Sequence, residues 1–336
     1  MPFISENIQI KPRNPLFCSI LANTIFSTFP GVSGAGPGPE ETLYTPILDS
    51  ELIITGNIVS MPVKPNTPTG CPTPATITRA MMNLTGLKPL FINAGLKFKP
   101  VIPVLDALGN CSGDSRIEPS LPDAEGLFQR GKWIGDFFSQ ISDMLVLGEC
   151  VPGGTTTALC VARALGYDMR VSSSFSKNPV KLKEEIAART LDRLKLKRVT
   201  EPIQIMKEAG DPMMPVATGI ASSYKGKLFL AGGTQMMAVA ALIKRMGKIP
   251  PAVVTTSYVR DDPSADIIRT SRNIGIDMIY IDPGFENIGI PGLARYCIGE
   301  VKEGMGAGGA LMLASILAKS EEEIRDAIRT TVGLYI

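Results

Sequence analysis

Two glutamates stand in glycine-rich loops, and each loop leads into an apolar helix. Glu149 belongs to the loop Gly148–Ala158, and Glu303 begins the loop Glu303–Gly309. Desolvation in such apolar surroundings raises the pKa of a carboxyl group. A general base that works near neutral pH needs such a pKa. Glu303 is therefore either a general base or an exposed helix-start glutamate that interacts with the helix dipole, and the pattern fits both.

The loop around Glu149 has the features of an anion site. An apolar strand, Met144–Leu147, is followed by a turn at Gly153 and Gly154 and by the helix Ala158–Leu165. The first amides of a helix have no intrahelical acceptor, and the helix dipole adds partial positive charge. Glycine also lets a phosphate approach the backbone. No Gly-Lys-Ser/Thr follows, so this is not a Walker A loop, and spacing alone fits a phosphate site and an ordinary tight turn equally.

The composition excludes several classes of chemistry. The 336 residues contain no histidine, which removes Ser-His-Asp and Cys-His catalysis and His-ligated zinc. Acid–base chemistry must therefore rest on Asp, Glu, Lys, Tyr or Cys. The net charge of +2 gives no basic field, so no nucleic-acid partner is expected.

The distribution of apolar residues and cysteines gives no sign of a membrane or secreted protein. No apolar run reaches the ~20 residues that span a bilayer, and the opening residues lack a signal-peptide pattern. The six cysteines show no CxxC spacing, so free thiols are expected. We therefore expect a cytoplasmic protein without a membrane partner.

Apolar segments alternate with helical patterns along the chain. The predicted strands are Leu16–Thr24, Glu51–Gly56, Pro89–Ala94, Val101–Leu108, Met144–Leu147, Val171–Ser176, Leu228–Ala231, Pro251–Ser257 and Asp277–Asp282. The predicted helices are Ala75–Leu84, Asp123–Phe138 (with Leu127, Trp133, Ile134 and Phe137 inward), Ala158–Leu165, Lys181–Lys197, Met236–Met246, Ala310–Ala318 and Ser320–Ile328. This alternation predicts an α/β fold: a mostly parallel, Rossmann-like sheet with helices on both faces, plus a small helical subdomain. We expect one domain over residues 1–336, with strand–glycine–helix turns at Gly153, Gly232 and Gly304 converging at one sheet edge.

An acidic group, Asp261, Asp262 and Asp266, could suggest a metal site. A turn and helix cap around Pro263 is the favoured interpretation, because Asp is common at such positions. No metal and no cofactor are expected.

Four segments, taken in order, resemble the nicotinate-nucleotide–dimethylbenzimidazole phosphoribosyltransferases. Gly148–Ala158 resembles that family's Gly-Glu-Met-Gly-Ile-Gly-Asn-Thr-Thr loop, and Glu303–Gly308 resembles its Glu-Gly-Thr-Gly-Ala-Ala loop. Gly232–Ala238 is similar to the Gly-Gly-x-Glu segment, and Gly31–Glu40 is similar to the Gly-Val-Ser…Pro-x-Glu loop. The pattern is closest to a divergent archaeal branch.

The resemblance implies a reaction and a homodimer. The phosphoribosyl group of nicotinate mononucleotide passes to a benzimidazole-type base, giving α-ribazole phosphate, the lower-ligand nucleotide of cobalamin-type corrinoids, and nicotinate. Glu303 is implied as the general base and Glu149 as a second acid near the ribose. The implied phosphate and ribose ligands are Gly153, Gly154, Thr155, Thr156, Ser172, Ser173 and Ser174, and a positive charge is expected from Lys181 or Lys183. The implied base-binding residues are Ser33, Val301, Met305, Gly232 and Gly233.

The chain departs from the family pattern at several positions. Val151 and Pro152 replace Gly-Ile, Gly154 replaces an asparagine, and Gln235 replaces an acid. These changes leave two alternative hypotheses open: a nucleotide N-glycosidase in which Glu303 acts on water, and a non-catalytic nucleotide-binding protein.

Overall fold

A computed structural model gives the structure of the protein and describes residues 2–36 and 38–336. The strands in this part of the chain are β1 (Pro15–Ala22), β2 (Leu90–Gly95), β3 (Leu105–Asp106), β4 (Met144–Cys150), β5 (Lys227–Ala231), β6 (Ala252–Thr256) and β7 (Met278–Ile281). They form one seven-stranded sheet in the order β3-β2-β1-β4-β5-β6-β7. Every neighbouring pair is parallel, which confirms the predicted α/β class.

Helices cover both faces of the sheet. They are α1 (Thr45–Thr55), α2 (Pro74–Thr85), α3 (Ala124–Ile141), α4 (Gly154–Ala164), α5 (Val180–Lys197), α6 (Pro202–Ala209), α7 (Met213–Ser223), α8 (Thr234–Arg245), α9 (Ser257–Arg260), α10 (Ile267–Ile274), α11 (Pro291–Ala294), α12 (Ala307–Ile316) and α13 (Glu321–Gly333). As predicted, Ser320 caps α13 in a capping box with Glu323.

The central strand β4 is buried on both sides. Leu145 and Leu147 belong to one hydrophobic cluster, which includes residues of α4 and α8. Met144 and Val146 belong to a second cluster, which includes residues of α2 and α12. Successive side chains of a strand point to opposite faces, so an unbroken apolar run is what two covered faces require.

The predicted strand Glu51–Gly56 is wrong, because these residues form the end of α1. Pro46 occupies the first turn, where its missing N–H costs nothing, and Gly56 ends the helix in a left-handed conformation. Residues 46–53 are all buried, so this segment shows no amphipathic period. A short apolar run of this kind does not distinguish a strand from a buried helix.

The predicted inward face of α3 is also wrong in part. Trp133 is 62% exposed and Phe137 is 52% exposed. The helix instead turns glycines toward α7: a Cβ on Gly131 would lie 2.5 Å from the carbonyl oxygen of Val216. The close approach of two helices, rather than aromatic burial, decides which face is inside.

Two other predicted strands are shortened or absent. Residues 171–176 form an irregular connection, and only Leu105–Asp106 of the predicted strand Val101–Leu108 pairs with the sheet. Within residues 2–36 and 38–336, no helix is both long enough and apolar enough to cross a membrane.

Candidate active site

A cavity of about 420 Å³ opens at the carboxyl ends of β1 and β4. These neighbouring strands lie at the point where the strand order reverses, and ligands of open α/β sheets bind at such a switch point. Ser33 reaches the cavity from the loop after β1, Glu149 from the end of β4, and Gly233 from the loop after β5. Glu303 completes the wall from the loop before α12.

The loops that carry the two predicted catalytic acids are joined directly. The amide of Met305 donates a hydrogen bond to the carbonyl oxygen of Glu149, with an N···O distance of 3.0 Å. The backbones also touch, because a Cβ on Gly306 would lie 3.0 Å from the Cα of Gly148. Gly306 has φ 68, so both its space and its conformation favour glycine. The sequence places these glycines where the two loops cross.

Glu303 is half-buried and held at the start of α12. Its carboxylate accepts hydrogen bonds from the amides of Gly308, at 3.2 Å, and Gly304, at 3.3 Å. Burial raises the pKa of Glu303 to about 7, while the amide hydrogen bonds act in the opposite direction. The group can therefore change its protonation state near neutral pH.

The backbone around Glu303 is strained. Val301, Lys302 and Met305 have φ values of 64, 70 and 51, although none is glycine. Left-handed conformations are costly for side chains of this size and cluster at functional sites, where surrounding contacts enforce them. Here Val301 donates its amide to the carbonyl of Ser174, at 2.9 Å, and Met305 is fixed by Glu149. These contacts hold the backbone on either side of Glu303 in place.

Glu149 is 3% exposed and lies beside Glu303. Its Oε2 accepts hydrogen bonds from Gln235 Nε2, at 2.8 Å, and from the amide of Val151, at 3.2 Å. Burial raises the pKa of Glu149 to about 8, and the negative charges of Glu303 and Asp211 contribute to the increase. A proton on Glu149 removes the repulsion between the two acids.

Gly154 and Gln235, two departures from the phosphoribosyltransferase motifs, are in contact with each other. A Cβ on residue 154 would lie 1.6 Å from Gln235 Oε1, so Gly154 makes room for the Gln235 side chain. The Gln235 amide then reaches Glu149 as a neutral donor. Glycine at position 154 and glutamine at position 235 are therefore two parts of one arrangement around Glu149.

A buried lysine lies behind one end of the cavity. Lys183 is 1% exposed, and its Nζ donates to Thr155 Oγ1, at 2.8 Å, and to the carbonyl of Ser172, at 2.7 Å. Burial lowers the pKa of Lys183 to about 7, and the nearby charge of Lys302 contributes to the decrease. Lys181 is exposed, so of the two lysines that the sequence left open, Lys183 is the one that contacts the wall of the cavity.

The serine segment 172–174 forms the wall beside this lysine. The amide of Ser172 donates to Thr234 Oγ1, at 3.3 Å. Ser174 Oγ accepts from the amide of Gly34, at 3.1 Å. The segment therefore ties the loop after β1 to the start of α8, and all three serines line the cavity.

The structure brings most of the predicted site residues to one cavity. The residues that line it are Ser33, Glu149, Gly153, Thr155, Ser172, Ser173, Ser174, Gly233, Val301 and Glu303. Four others are buried behind its wall: Gly154, Thr156, Gly232 and Met305. The roles of all these residues in binding or catalysis stay predictions.

Helical periodicity and local turns explain why Gly154 and Thr156 lie behind the wall and do not reach the cavity. The amide of Gly154 donates to the carbonyl of Val151 and that of Thr156 to the carbonyl of Gly153, both at 2.9 Å. These two amides are therefore already engaged in the turn. Thr155 and Thr156 point in different directions from the first turn of α4, so only Thr155 reaches the cavity.

One acid that the sequence analysis did not single out also lines the cavity. Asp49, in α1, accepts a hydrogen bond from Thr73 Oγ1 at 2.8 Å, and burial raises its pKa to about 7. The sequence shows Asp49 only as an acid just before the segment Glu51–Gly56. Because that segment is wrongly predicted as a strand, the sequence does not indicate that Asp49 lies on a helix next to the cavity. Long-range packing of α1 against α2 brings Asp49 to the site.

The acidic segment at Asp262 forms the turn that the sequence favoured. Asp262 Oδ1 accepts from the amide of Ser264 at 2.9 Å and from its hydroxyl at 2.6 Å. Its Oδ2 lies 3.5 Å from Lys302 Nζ. Asp262 thus balances the buried charge of Lys302 next to the serine segment.

Solved structures share this fold. A nicotinate-nucleotide–dimethylbenzimidazole phosphoribosyltransferase from Thermus thermophilus superposes with a TM-score of 0.61 at 16% identity, covering 95% of this chain and 83% of that one. CobT from the same organism gives a TM-score of 0.59 at 16% identity, over 96% of this chain and 84% of that one. The fold implied by the four loops is confirmed.

Relatives in sequence cover nearly the whole chain. A UPF0284 protein of Methanosarcina acetivorans is 39% identical over 99% of this chain and 99% of its own length. A UPF0284 protein of Thermococcus onnurineus is 40% identical over 92% of this chain and 94% of its own length. No protein-family model matches. On the strength of these full-length matches, the chain belongs to the UPF0284 family.

Proposed function

We propose that the protein transfers the phosphoribosyl group of nicotinate mononucleotide to a benzimidazole-type base. One observation supports this proposal above all: Glu149 and Glu303 line a single cavity at the switch point of the sheet, on loops joined by a backbone hydrogen bond. The fold shared with the Thermus phosphoribosyltransferase is consistent with it.

In the proposed reaction, one nitrogen of the base attacks the anomeric carbon of the donor. The bond between that carbon and the pyridinium nitrogen breaks, and its electron pair leaves with nicotinate. Glu303 takes the proton from the other ring nitrogen of the base, so the product nucleotide is neutral at its base. Attack from the face opposite to nicotinate inverts the configuration, which gives an α-nucleotide.

Glu149 serves the donor in this proposal. Positive charge develops on the ribose as nicotinate leaves, and a nearby carboxylate stabilises that charge in a site shielded from water. The positive pyridinium of the bound donor favours the ionised form of Glu149 and so opposes the effect of burial on its pKa. Gln235 holds the carboxylate in place through its 2.8 Å hydrogen bond.

We assign the donor's phosphate to the end of the cavity that Gly153, Thr155 and the serine segment 172–174 line. Helix α4 begins there, and its dipole favours an anion. Lys183 adds a positive charge directly behind Thr155. A phosphate nearby would raise the pKa of this lysine and keep it protonated.

Replacing Lys183 with methionine should therefore weaken donor binding. We expect the KM for nicotinate mononucleotide to rise about 10- to 100-fold, with a smaller change in kcat, because the positive charge behind the phosphate and the charged hydrogen bond that orients Thr155 are lost. Lys181→Met is the matched control, since Lys181 lies on the same helix but is exposed. Steady-state kinetics with varied donor would measure both, and equal KM values for the two variants would contradict this assignment. Thermal melting would show whether Lys183→Met remains folded.

The activity should also depend on pH through Glu303. A general base must be ionised, and the pKa of Glu303 is about 7. We expect kcat/KM for the acceptor, measured with saturating donor so that Glu149 is ionised, to rise between about pH 6 and pH 8 and to fall about tenfold per pH unit below the pKa of Glu303. The same profile measured on Glu149→Gln removes the second acid as a source of the change. Activity that stays constant, or that increases as the pH falls over this range, would argue against Glu303 as the base.

Release of nicotinate distinguishes this proposal from the two alternatives. A transferase releases nicotinate only when an acceptor base is supplied, whereas a glycosidase releases it in water alone. A non-catalytic protein binds the mononucleotide and releases none. Measuring initial rates of nicotinate release with and without benzimidazole separates the three hypotheses. We expect release only when benzimidazole is present.

We also propose a homodimer, as the resemblance implies. The exposed aromatic side chains of Trp133 and Phe137 on α3 are one apolar surface that a second copy could cover. Sedimentation equilibrium would test this, and a monomer at micromolar concentration would exclude a stable dimer.

A further inference from the structure

We propose that Asp49 selects the acceptor base by accepting a hydrogen bond from it, so that the favoured substrate is an aromatic nitrogen heterocycle with a hydroxyl or amino substituent. This inference rests on the proposed function. It deepens that proposal by assigning the chemical class of the acceptor.

Asp49 is a buried carboxyl group that lines the cavity, and only 8% of the residue is exposed. A buried acid is costly unless its oxygens find hydrogen-bond donors. Among the described residues, two side chains donate to Asp49, those of Thr73 and Cys150. A polar group of a ligand in the cavity is a suitable further partner.

The two oxygens of Asp49 are unequally satisfied by the protein. Oδ1 accepts from the hydroxyl of Thr73, at 2.8 Å. Oδ2 accepts from the thiol of Cys150, with an Sγ···Oδ2 distance of 3.8 Å. A thiol is a weak donor, and a carboxylate offers about four lone-pair positions. Asp49 therefore keeps capacity for a stronger donor from a ligand in the cavity.

A chain of contacts joins Asp49 to the loop that carries Glu303, the residue assigned to the acceptor. Thr73, which holds Asp49, precedes Pro74 at the start of α2. A Cβ on Gly304 would lie 3.2 Å from Pro74 Cγ, so the loop that carries Glu303 packs against this same turn. Lys183, by contrast, lies behind Thr155 and Ser172 in the part of the wall assigned to the phosphate.

A flat base can therefore meet two carboxyl groups. Glu303 faces the ring nitrogen that loses its proton, and Asp49 faces a substituent elsewhere on the ring. A site with a buried hydrogen-bonding group discriminates strongly against an analogue that lacks the matching donor, because the buried group then stays unpaired. Methyl substituents in the same place would offer Asp49 no hydrogen bond beyond those from Thr73 and Cys150.

The test compares three acceptor bases with the wild-type protein and two variants. Hydroxybenzimidazole offers a donor, dimethylbenzimidazole offers only methyl groups, and unsubstituted benzimidazole reports on transfer itself. We expect wild-type kcat/KM for hydroxybenzimidazole to exceed that for dimethylbenzimidazole by about tenfold or more. Asp49→Leu should abolish or reverse this preference, measured as the ratio of the two kcat/KM values within the variant, whatever its overall rate. Asparagine has nearly the same size as aspartate, so Asp49→Asn should reduce the preference without disturbing the packing. This variant replaces Asp49→Leu in the test if the leucine variant does not fold.

The possible results separate this inference from the proposed function. The same ranking of the three bases in the wild type and in both variants would overturn the role of Asp49, even though transfer itself would stand. An equal loss of activity with all three bases would show that Asp49 only supports the structure, which also overturns the inference. No transfer by the wild type to any base, including benzimidazole, would overturn the proposed function and this inference with it.

Discussion

Glu303→Gln should lower kcat for transfer to benzimidazole by about 10²- to 10⁴-fold, the usual contribution of a positioned general base. Glutamine keeps the size of the side chain and can still accept a hydrogen bond from the Gly308 amide through its oxygen. It cannot accept the proton of the base. The expected loss is therefore chemical, and the start of α12 should stay intact.

Binding of the donor separates this role from general damage. Glu303 acts on the acceptor, so the affinity for nicotinate mononucleotide, measured by calorimetry, should change by no more than about twofold. Glu303→Ala should show the same loss of transfer while the donor still binds. Glu322→Gln removes an equal charge from an exposed site on α13 and should have wild-type activity. Undiminished turnover in Glu303→Gln or Glu303→Ala would rule out the assignment of the base.

Glu149→Gln should have the second large effect, with kcat reduced by about 10²-fold or more, because the change removes a negative charge next to the ribose and preorganised electrostatic groups typically contribute this much. The glutamine oxygen can still accept from Gln235 and from the Val151 amide, so the loop should keep its shape.

The two acids should differ in which substrate they affect. Loss of the Glu149 charge should slow nicotinate departure with every acceptor by the same factor. Steady-state kinetics with several acceptors would measure this factor. A Glu149→Gln enzyme that matches the wild type in kcat with every acceptor would exclude a role for this charge.

Much of the site could be predicted because it depends on local features. The strand, glycine turn and helix around Glu149 follow one another within a single segment, and Glu303 likewise precedes a glycine turn and a helix. Parallel strands place such turns at one sheet edge, so two distant segments could be expected to meet. The two segments do meet, because the backbones of Gly148 and Gly306 are in contact.

The parts that could not be predicted depend on packing between distant segments. Asp49 reaches the cavity only because α1 packs on α2, and the segment around it is buried throughout and gives no helical period. Thr156 and Met305 were assigned to the cavity from their place in a motif. Their orientation depends on the first turn of α4 and on a hydrogen bond between two loops. Trp133 and Phe137 are predicted to face inward, whereas glycines bring α3 close to α7 and leave both aromatic side chains exposed.

The most direct test is the identity of the product formed from nicotinate mononucleotide and benzimidazole. The reaction mixture would be analysed by mass spectrometry, and the product's anomeric configuration would be determined by nuclear magnetic resonance. We predict a single nucleotide in which the phosphoribosyl group is joined to benzimidazole in the α configuration, with one nicotinate released for each nucleotide formed. Free ribose phosphate with nicotinate, or unreacted mononucleotide, would contradict it.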